Sequence, residues 1–423
     1  MKKRRVVLLF LIVLAVITFL DRIAIASAGP RIRQDLQIPP ELWGWVLGAF
    51  VLSYGLFEIP TGAMGDRSGQ RSVLTRIVIW WSVFTSLTGA AAGPRQLIVT
   101  RFLFGAGEAG AYPNISGVLA RWFPVTERAR TQGYIWAASR FGGALAPLLV
   151  VPLQTRLGWR AVFVLFGAAG LVWAVAWRTW YHDDPATQPG IHEAELAEIG
   201  AGSAPPSHAA VPWAALLRSR QLWLIFVMYW CYAWGSWFYF GWFPVYLVNG
   251  AGFTEQQMGV FAALPFLLGA AGATAGGHLS DRLVKSFGLK TGRRLVACAS
   301  LAVSASLLAA MALTRNHTAI VILSSLGFGI ADLMLPVAWA VCLDIGRDHA
   351  GVVTGVMNTA GQFGGFVCSV LFGYVVQATN NYNAPVWVVA AMVMAGAILF
   401  SRIDPTRRLL GEERSTDHAA LPA

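Results

Sequence analysis

Twelve long apolar runs, with few charges inside them, take up most of the chain. They lie near 6–28, 42–64, 72–92, 96–120, 129–153, 159–180, 221–248, 256–280, 294–313, 318–344, 350–377 and 384–402. A helix needs about 20 apolar residues to cross a bilayer. The 423 residues are 56% apolar and 13% charged. That apolar content suffices for about twelve spanning helices. It is too high, and the charge too low, for soluble domains at about 45–50% apolar and 25% charged. A membrane β-barrel would show alternating segments of about ten residues. These runs are solid, so the expected fold is an all-α polytopic membrane protein with twelve transmembrane helices. The start imitates a secretory leader, with Lys2, Lys3, Arg4 and Arg5 before an apolar run and Ala26-Ser27-Ala28 at its end. Asp21 and Arg22 interrupt that run, and the repeat described below needs it, so it is read as the first span.

The net charge is +11, but its placement matters more than its size. A nucleic-acid binder puts Lys and Arg on one solvated face. Here they fill the gaps between apolar runs, so a lipid bilayer, and no nucleic acid, is the expected partner. With the N-terminus inside, 23 of the 32 Lys and Arg lie in inner segments and six in outer loops (Arg31, Arg33, Arg95, Arg156, Arg160, Arg315). The other three, Arg22, Arg101 and Arg140, lie within spans. This bias predicts cytoplasmic termini in a plasma membrane, the inner membrane of a bacterium.

The polar stretch 181–220 separates six runs from six. The expected organisation is a six-helix bundle over 1–180, a cytoplasmic linker over 181–220 with a short helix near 191–199, a second bundle over 221–403, and a cytoplasmic tail over 404–423. The halves echo each other. Gly62…Asp66-Arg67…Gly69…Arg71 follows the second run, and Gly277…Asp281-Arg282 follows the eighth, 215 residues on from Asp66 to Asp281. Gly133 with Arg140-Phe141-Gly142-Gly143 in the fifth run matches Gly355 with Gln362-Phe363-Gly364-Gly365 in the eleventh, at an offset of 222. Two pseudo-symmetric bundles are what a transporter uses to alternate a central site between two sides.

Charged groups deep in a span cost about 2.5–3.5 kcal/mol each on insertion scales, so they pair, face a cavity, or both. The candidates are Asp21, Arg22, Glu58, Arg101, Glu108, Arg140 and Asp332. Arg101 and Glu108 are seven residues apart, about two helical turns, and so point the same way. Adjacent Asp21 and Arg22 diverge by about 100°. One arrangement turns Arg22 toward substrate and Asp21 toward helix four, within reach of Arg101 and Glu108. Arg140 lies about 15 Å into its span. It offers a planar fork for a carboxylate if it faces the cavity opposite Gln362, and a structural pair if it meets Asp332. Asn358 and Gln362 share a helix face and offer neutral hydrogen bonds. Three Arg against Asp21 and Glu108 make the first half's core +1 with both acids ionised and +3 with both protonated. Such a site takes an anion and protons together.

Asp66, Arg67, Arg71, Asp281 and Arg282 sit at helix ends, where charges cap and pair, and are candidates for a cytoplasmic gate. Cys231, Cys298, Cys342 and Cys368 all lie in apolar runs without metal-ligand spacing, so they are read as packing residues. No metal and no cofactor is expected, the proton gradient serving as driving force. No nucleophile–base cluster argues for an enzyme.

The loop from Gly62 to Arg71 resembles the signature of the major facilitator superfamily. Several blocks further resemble its anion:cation symporter branch: Asp21-Arg22, Phe57-Glu58-Ile59-Pro60, Arg101…Glu108-Ala109, Arg121-Trp122-Phe123-Pro124, Gly158-Trp159-Arg160 and Asn358…Gly361. The resemblance implies symport of a small organic anion (a sugar acid, dicarboxylate or aromatic carboxylate) with protons, by a monomer. It implies proton coupling through Asp21 and Glu108, and substrate binding by Arg22 and by Tyr54, the helix-two tyrosine. Sugar-acid members carry a neutral amide-type residue where Arg140 stands. The alternative within the same fold is proton-driven export of an amphipathic metabolite or drug. Three intramembrane Arg favour the anion.

Overall fold

The computed structural model describes residues 2–200, 213–346, 350–407 and 409. Every apolar run falls on a helix, and no strand occurs among the described residues. The first bundle contains α1 (Lys3–Ser27), α2 (Pro40–Ser68), α3 (Gln70–Gly89), α4 (Pro94–Glu108 and Ala111–Trp122), α5 (Val125–Leu157) and α6 (Trp159–Trp180). In the linker, a short helix at Glu193–Gly200 matches the expected one. Next comes α7 (Arg220–Trp237), which continues through π-helical turns at Phe238–Trp242 and Tyr246–Gly250. Glu255–Phe261 leads into the long segment Leu264–Leu313. Gly288, at φ 79°, breaks that segment into α8 and α9. The remaining helices are α10 (His317–Ala331 and Met334–Gly346), α11 (Ala350–Thr379) and α12 (Asn383–Phe400).

Among the described residues, seven helical segments are long and apolar enough to cross a membrane, and one of them, Glu255–Leu313, holds two of the runs. The segments outside this group are α2, α3, α4 and α7, whose runs carry more hydroxyl, glycine, charged or indole side chains. The chain is an all-helical polytopic membrane protein.

Helices α1 to α6 pack on one another, as do α7 to α12, and the groups meet where α2 lies on α11 and α5 on α8. The α2–α11 contact is a row of glycines, which lets backbones approach closely. A methyl at Gly44 would stand 2.7 Å from the Ser369 carbonyl oxygen, and one at Gly55 would stand 2.9 Å from Gln362 Cβ. Gly44→Ala is therefore expected to cost about 1–3 kcal/mol by overpacking, read as a lowered melting temperature. Gly93→Ala, where a methyl meets nothing within 4 Å, is the control expected to change little.

The two ends of the seam differ. At the end away from the termini, Arg31 Nε meets Glu255 Oε2 at 2.5 Å, Arg33 donates to the Tyr382 hydroxyl at 2.8 Å, and Trp45 donates to the Tyr374 hydroxyl at 3.2 Å. All three contacts join the bundles. Toward the terminal end the seam widens. A methyl at Gly133 or at Gly355, the repeat partners on α5 and α11, would meet nothing within 4 Å. Trp136, one turn from Gly133, is 42% exposed although its ring lies edge-on to Trp339 of α10.

Candidate functional site

Asp21 and Arg22 are both buried on α1, and their divergence sends them to different neighbours. Arg22 turns to α4, with Nε 3.1 Å and Nη2 2.5 Å from Glu108 Oε1. Its guanidinium lies over the rings of Phe19 (4.9 Å), Tyr54 (4.8 Å) and Phe50 (5.2 Å). Glu108 Oε2 has no hydrogen-bond partner. Asp21 has none on either oxygen, and neither do Trp81 Nε1 and Thr85 Oγ1 of α3, the groups that its carboxyl senses there. Glu108 is thus held by Arg22, which the sequence reading turned toward substrate, while Asp21 lies beside α3 and within electrostatic reach of Glu108 on α4. Arg101 remains close enough to act electrostatically on both acids. Its guanidinium lies over Phe104 (4.3 Å) and Phe50 (4.9 Å), and its Nε is unpartnered.

Local sequence explains the placement of Glu108. Helix α4 breaks at Ala109–Gly110, just after Glu108, where Pro113 cannot donate to the preceding turn. A methyl at Gly105 would meet the Phe50 carbonyl oxygen at 2.5 Å, so α4 presses its glycine face on α2. Tyr112, beyond the break, shares its hydroxyl with Ser139 at 2.6 Å and stacks on Trp136 at 5.0 Å. Tyr112 also senses both Arg22 and Arg140.

Two polar contacts tie the bundles between the two ends of the seam, the first near the middle and the second nearer the terminal side. Arg140 Nη2 on α5 is 2.9 Å from Asp332 Oδ2 on α10. The other oxygen of Asp332 accepts from the Tyr232 hydroxyl of α7 at 3.0 Å. Asn358 Nδ2 on α11 lies 2.9 and 2.8 Å from the two Glu58 oxygens on α2. The expectation of an Arg140 turned to Gln362 and open to substrate is therefore corrected to the paired alternative. The buried Asp332 carboxylate gives the guanidinium a counter-charge that a neutral amide cannot supply. Gln362 packs against Gly55 with its Oε1 unpartnered.

Glu58 and Asp332, read from sequence only as intramembrane charges in need of a partner, each enter a contact between the bundles. With both included, the four acids and three Arg sum to −1 fully ionised and +3 fully protonated.

The gate candidates lie at the terminal end. Arg71 donates to the Arg178 carbonyl at 3.0 and 2.7 Å, and its backbone N–H donates to Asp183. Asp281 pairs with Arg293 at 3.1 Å. Arg282 is exposed. The side chains of Asp66 and Arg67 lie outside the described residues. The ties seen for Arg71 and Asp281 stay within one bundle each.

The sequence pattern of the Major Facilitator Superfamily matches residues 11–369. A protein of Cupriavidus necator described as a "probable sulfoacetate transporter" is 36% identical over 96% of this chain and 94% of its own length. A "probable galactarate/D-glucarate transporter" of Bacillus subtilis is 30% identical over 95% and 92%. Among solved structures, a bacterial homologue of the human lysosomal transporter Spinster, inward-facing and occupied, superposes with a TM-score of 0.80 at 18% identity, over 95% of this chain and 96% of its own. A D-xylose–proton symporter superposes at 0.74 and 14% identity, over 95% and 98%. These two share the fold.

Proposed function

The chain belongs to the Major Facilitator Superfamily, and from that premise we propose that it imports a small organic anion together with protons by alternating access. It is a transporter and not an enzyme. The observation that carries the reading is the group of three guanidiniums within the spans, Arg22 and Arg101 buried and Arg140 partly so, set among aromatic rings with acids as their only counter-charges among the described residues. The names of the relatives, which speak of sulfoacetate, galactarate and D-glucarate, support an acidic substrate.

In this reading the substrate's acidic group meets Arg22 and takes the place of Glu108. The released carboxylate would be buried and unpaired, which is costly, so it takes a proton. Asp21, buried and in no ion pair among the described residues, takes another. Anion and protons then travel together. The excess of Lys and Arg on the terminal side supports cytoplasmic termini. The widened seam at that end and the contacts of Arg31 and Arg33 at the other correspond to a cytoplasm-facing state. Return to the outward-facing state requires those far-end contacts to part and the ends of α2, α5, α8 and α11 near Arg71 and Asp281 to close.

The test is uptake into proteoliposomes. Sulfoacetate and D-glucarate are expected to accumulate against their gradients under an imposed inward proton gradient, and not after its collapse by a protonophore. Accumulation unaffected by the protonophore would overturn proton coupling. Efflux of hydrophobic cations with no anion uptake would overturn the anion reading in favour of export.

A further inference from the structure

We infer that Asp332 decides, by gaining or losing a proton, whether Arg140 is open to a second acidic group on the substrate. The inference rests on the anion-transport reading above and deepens it: the substrate class becomes small dianions, such as dicarboxylates and sulfocarboxylates.

Arg140 leaves the first bundle and ends over two rings of the second, Phe240 on α7 (5.6 Å) and Phe328 on α10 (5.4 Å). One edge of its guanidinium meets Asp332, which is fully buried, while the Arg140 side chain keeps 11% exposure. The Arg140 side chain is therefore not sealed from solvent, and one turn away on α5 Trp136 is exposed. The groups facing Asp332 are few. Arg140 comes from α5, and Tyr232, with Tyr229 farther off, comes from α7. Helix α8 offers Gly269, and α10 itself offers Phe328. Asp332 thus has one cation and neutral neighbours.

While Asp332 is ionised, the pair is neutral and offers a second anion little. A proton from solvent on the carboxyl leaves Arg140 with its full charge, and an acidic group can then take the fork in a charge-assisted contact. Linkage runs both ways: an anion bound at Arg140 repels an ionised Asp332 and so draws the proton in. No other bond changes.

The arrangement parallels the pair of Arg22 and Glu108. Glu108 stands at the break in α4, and Asp332 at the break in α10. Each acid holds one guanidinium. The rings of Phe19 and Phe240, 6.2 Å apart, stand between the two guanidiniums. Two Arg–acid pairs on either side of one aromatic contact suit a ligand with two acidic groups, each linked to one proton. A monoanion would engage only the first pair.

The experiment is calorimetric titration of the full-length protein in nanodiscs, from about pH 5.5 to 8. The ligands are sulfoacetate and D-glucarate as dianions and D-gluconate as the monoanion. For wild type, log Kd is expected to rise with pH more steeply for the dianions than for D-gluconate, by about one unit of slope. Asp332→Asn should remove that excess and leave the D-gluconate slope unchanged, and Asp332→Glu should keep it. The double variant Arg140→Gln/Asp332→Asn strands no buried charge. It should lose about 10- to 150-fold in dianion affinity and retain D-gluconate. An excess slope that persists in Asp332→Asn overturns the inference alone. So does equal weakening of dianions and monoanion, which would make Asp332 a positioning residue only. Wild type that binds none of the three overturns the transport reading, and this inference with it.

Discussion

Glu108→Gln is expected to abolish accumulation of the anion against its gradient while sparing exchange of internal for external anion. The amide keeps the shape of the side chain and can still accept a hydrogen bond from Arg22, now 2.5 Å from Oε1. It cannot take up and release a proton. Arg22 would then carry a permanent unopposed charge, so the anion binds without waiting for a proton and is released as slowly outward as inward. Uphill uptake should be lost, because the proton gradient no longer acts on the anion through this side chain, and the buried Arg22 left without its partner should lower the melting temperature. Counterflow should persist. The measurement is radiolabelled uptake into proteoliposomes with and without a pH difference, beside exchange at equal pH. Concentrative uptake by the variant would move the coupling role to Asp21 alone.

Arg22→Gln is the second large effect, and it acts on binding itself. Arg22 donates from both Nε and Nη2 to one carboxylate oxygen, in a pocket closed by Phe19, Phe50 and Tyr54. Losing one charge-assisted contact to the substrate costs about 1.5–3 kcal/mol, or roughly 10- to 150-fold in affinity. The change also strands Glu108, so a melting temperature below wild type is expected. Arg22→Gln/Glu108→Gln removes both charges and should recover that stability without recovering transport, which separates folding from function. Arg22→Lys should not restore binding, because a point charge cannot reproduce two directed N–H groups. Normal uptake by Arg22→Gln would place the substrate on Arg101 or Arg140 instead.

The helices were legible from the sequence because twenty or so apolar residues in a row have one solution in a bilayer. Their interruptions were not. The breaks at Ala109-Gly110 in α4 and Asp332-Leu333 in α10 each precede a proline, Pro113 and Pro336, that cannot donate to the preceding turn, a cue that the hydropathy of the runs does not carry. The π-helical turns of α7, on either side of Phe243–Val245, likewise leave no mark on hydropathy. Of the site, the intramembrane charges were legible as a set, because each must be compensated. Their pairing was not, since Arg140 and Asp332 lie in different bundles and meet only through the docking of α5 beside α8 and α10. The angular divergence of Asp21 and Arg22 was legible, but the pairing of Arg22 with Glu108 was not, because a helical wheel gives relative directions and no absolute rotation about the axis.

The ties between the bundles have a consequence for how the protein moves. In a rocking motion, displacement grows with distance from the pivot. Arg31 and Glu255 sit far from the middle, with side chains 31% and 20% exposed. Water can replace each as they separate, so parting them costs little. Arg140 and Asp332 lie near the middle and are almost sealed from solvent, where separating charges is expensive but where a rotation scarcely moves them. The contacts that must open in every cycle are therefore the wet ones. The dry pair can persist through the swing as an axle, yielding to a change of charge and not to mechanical displacement.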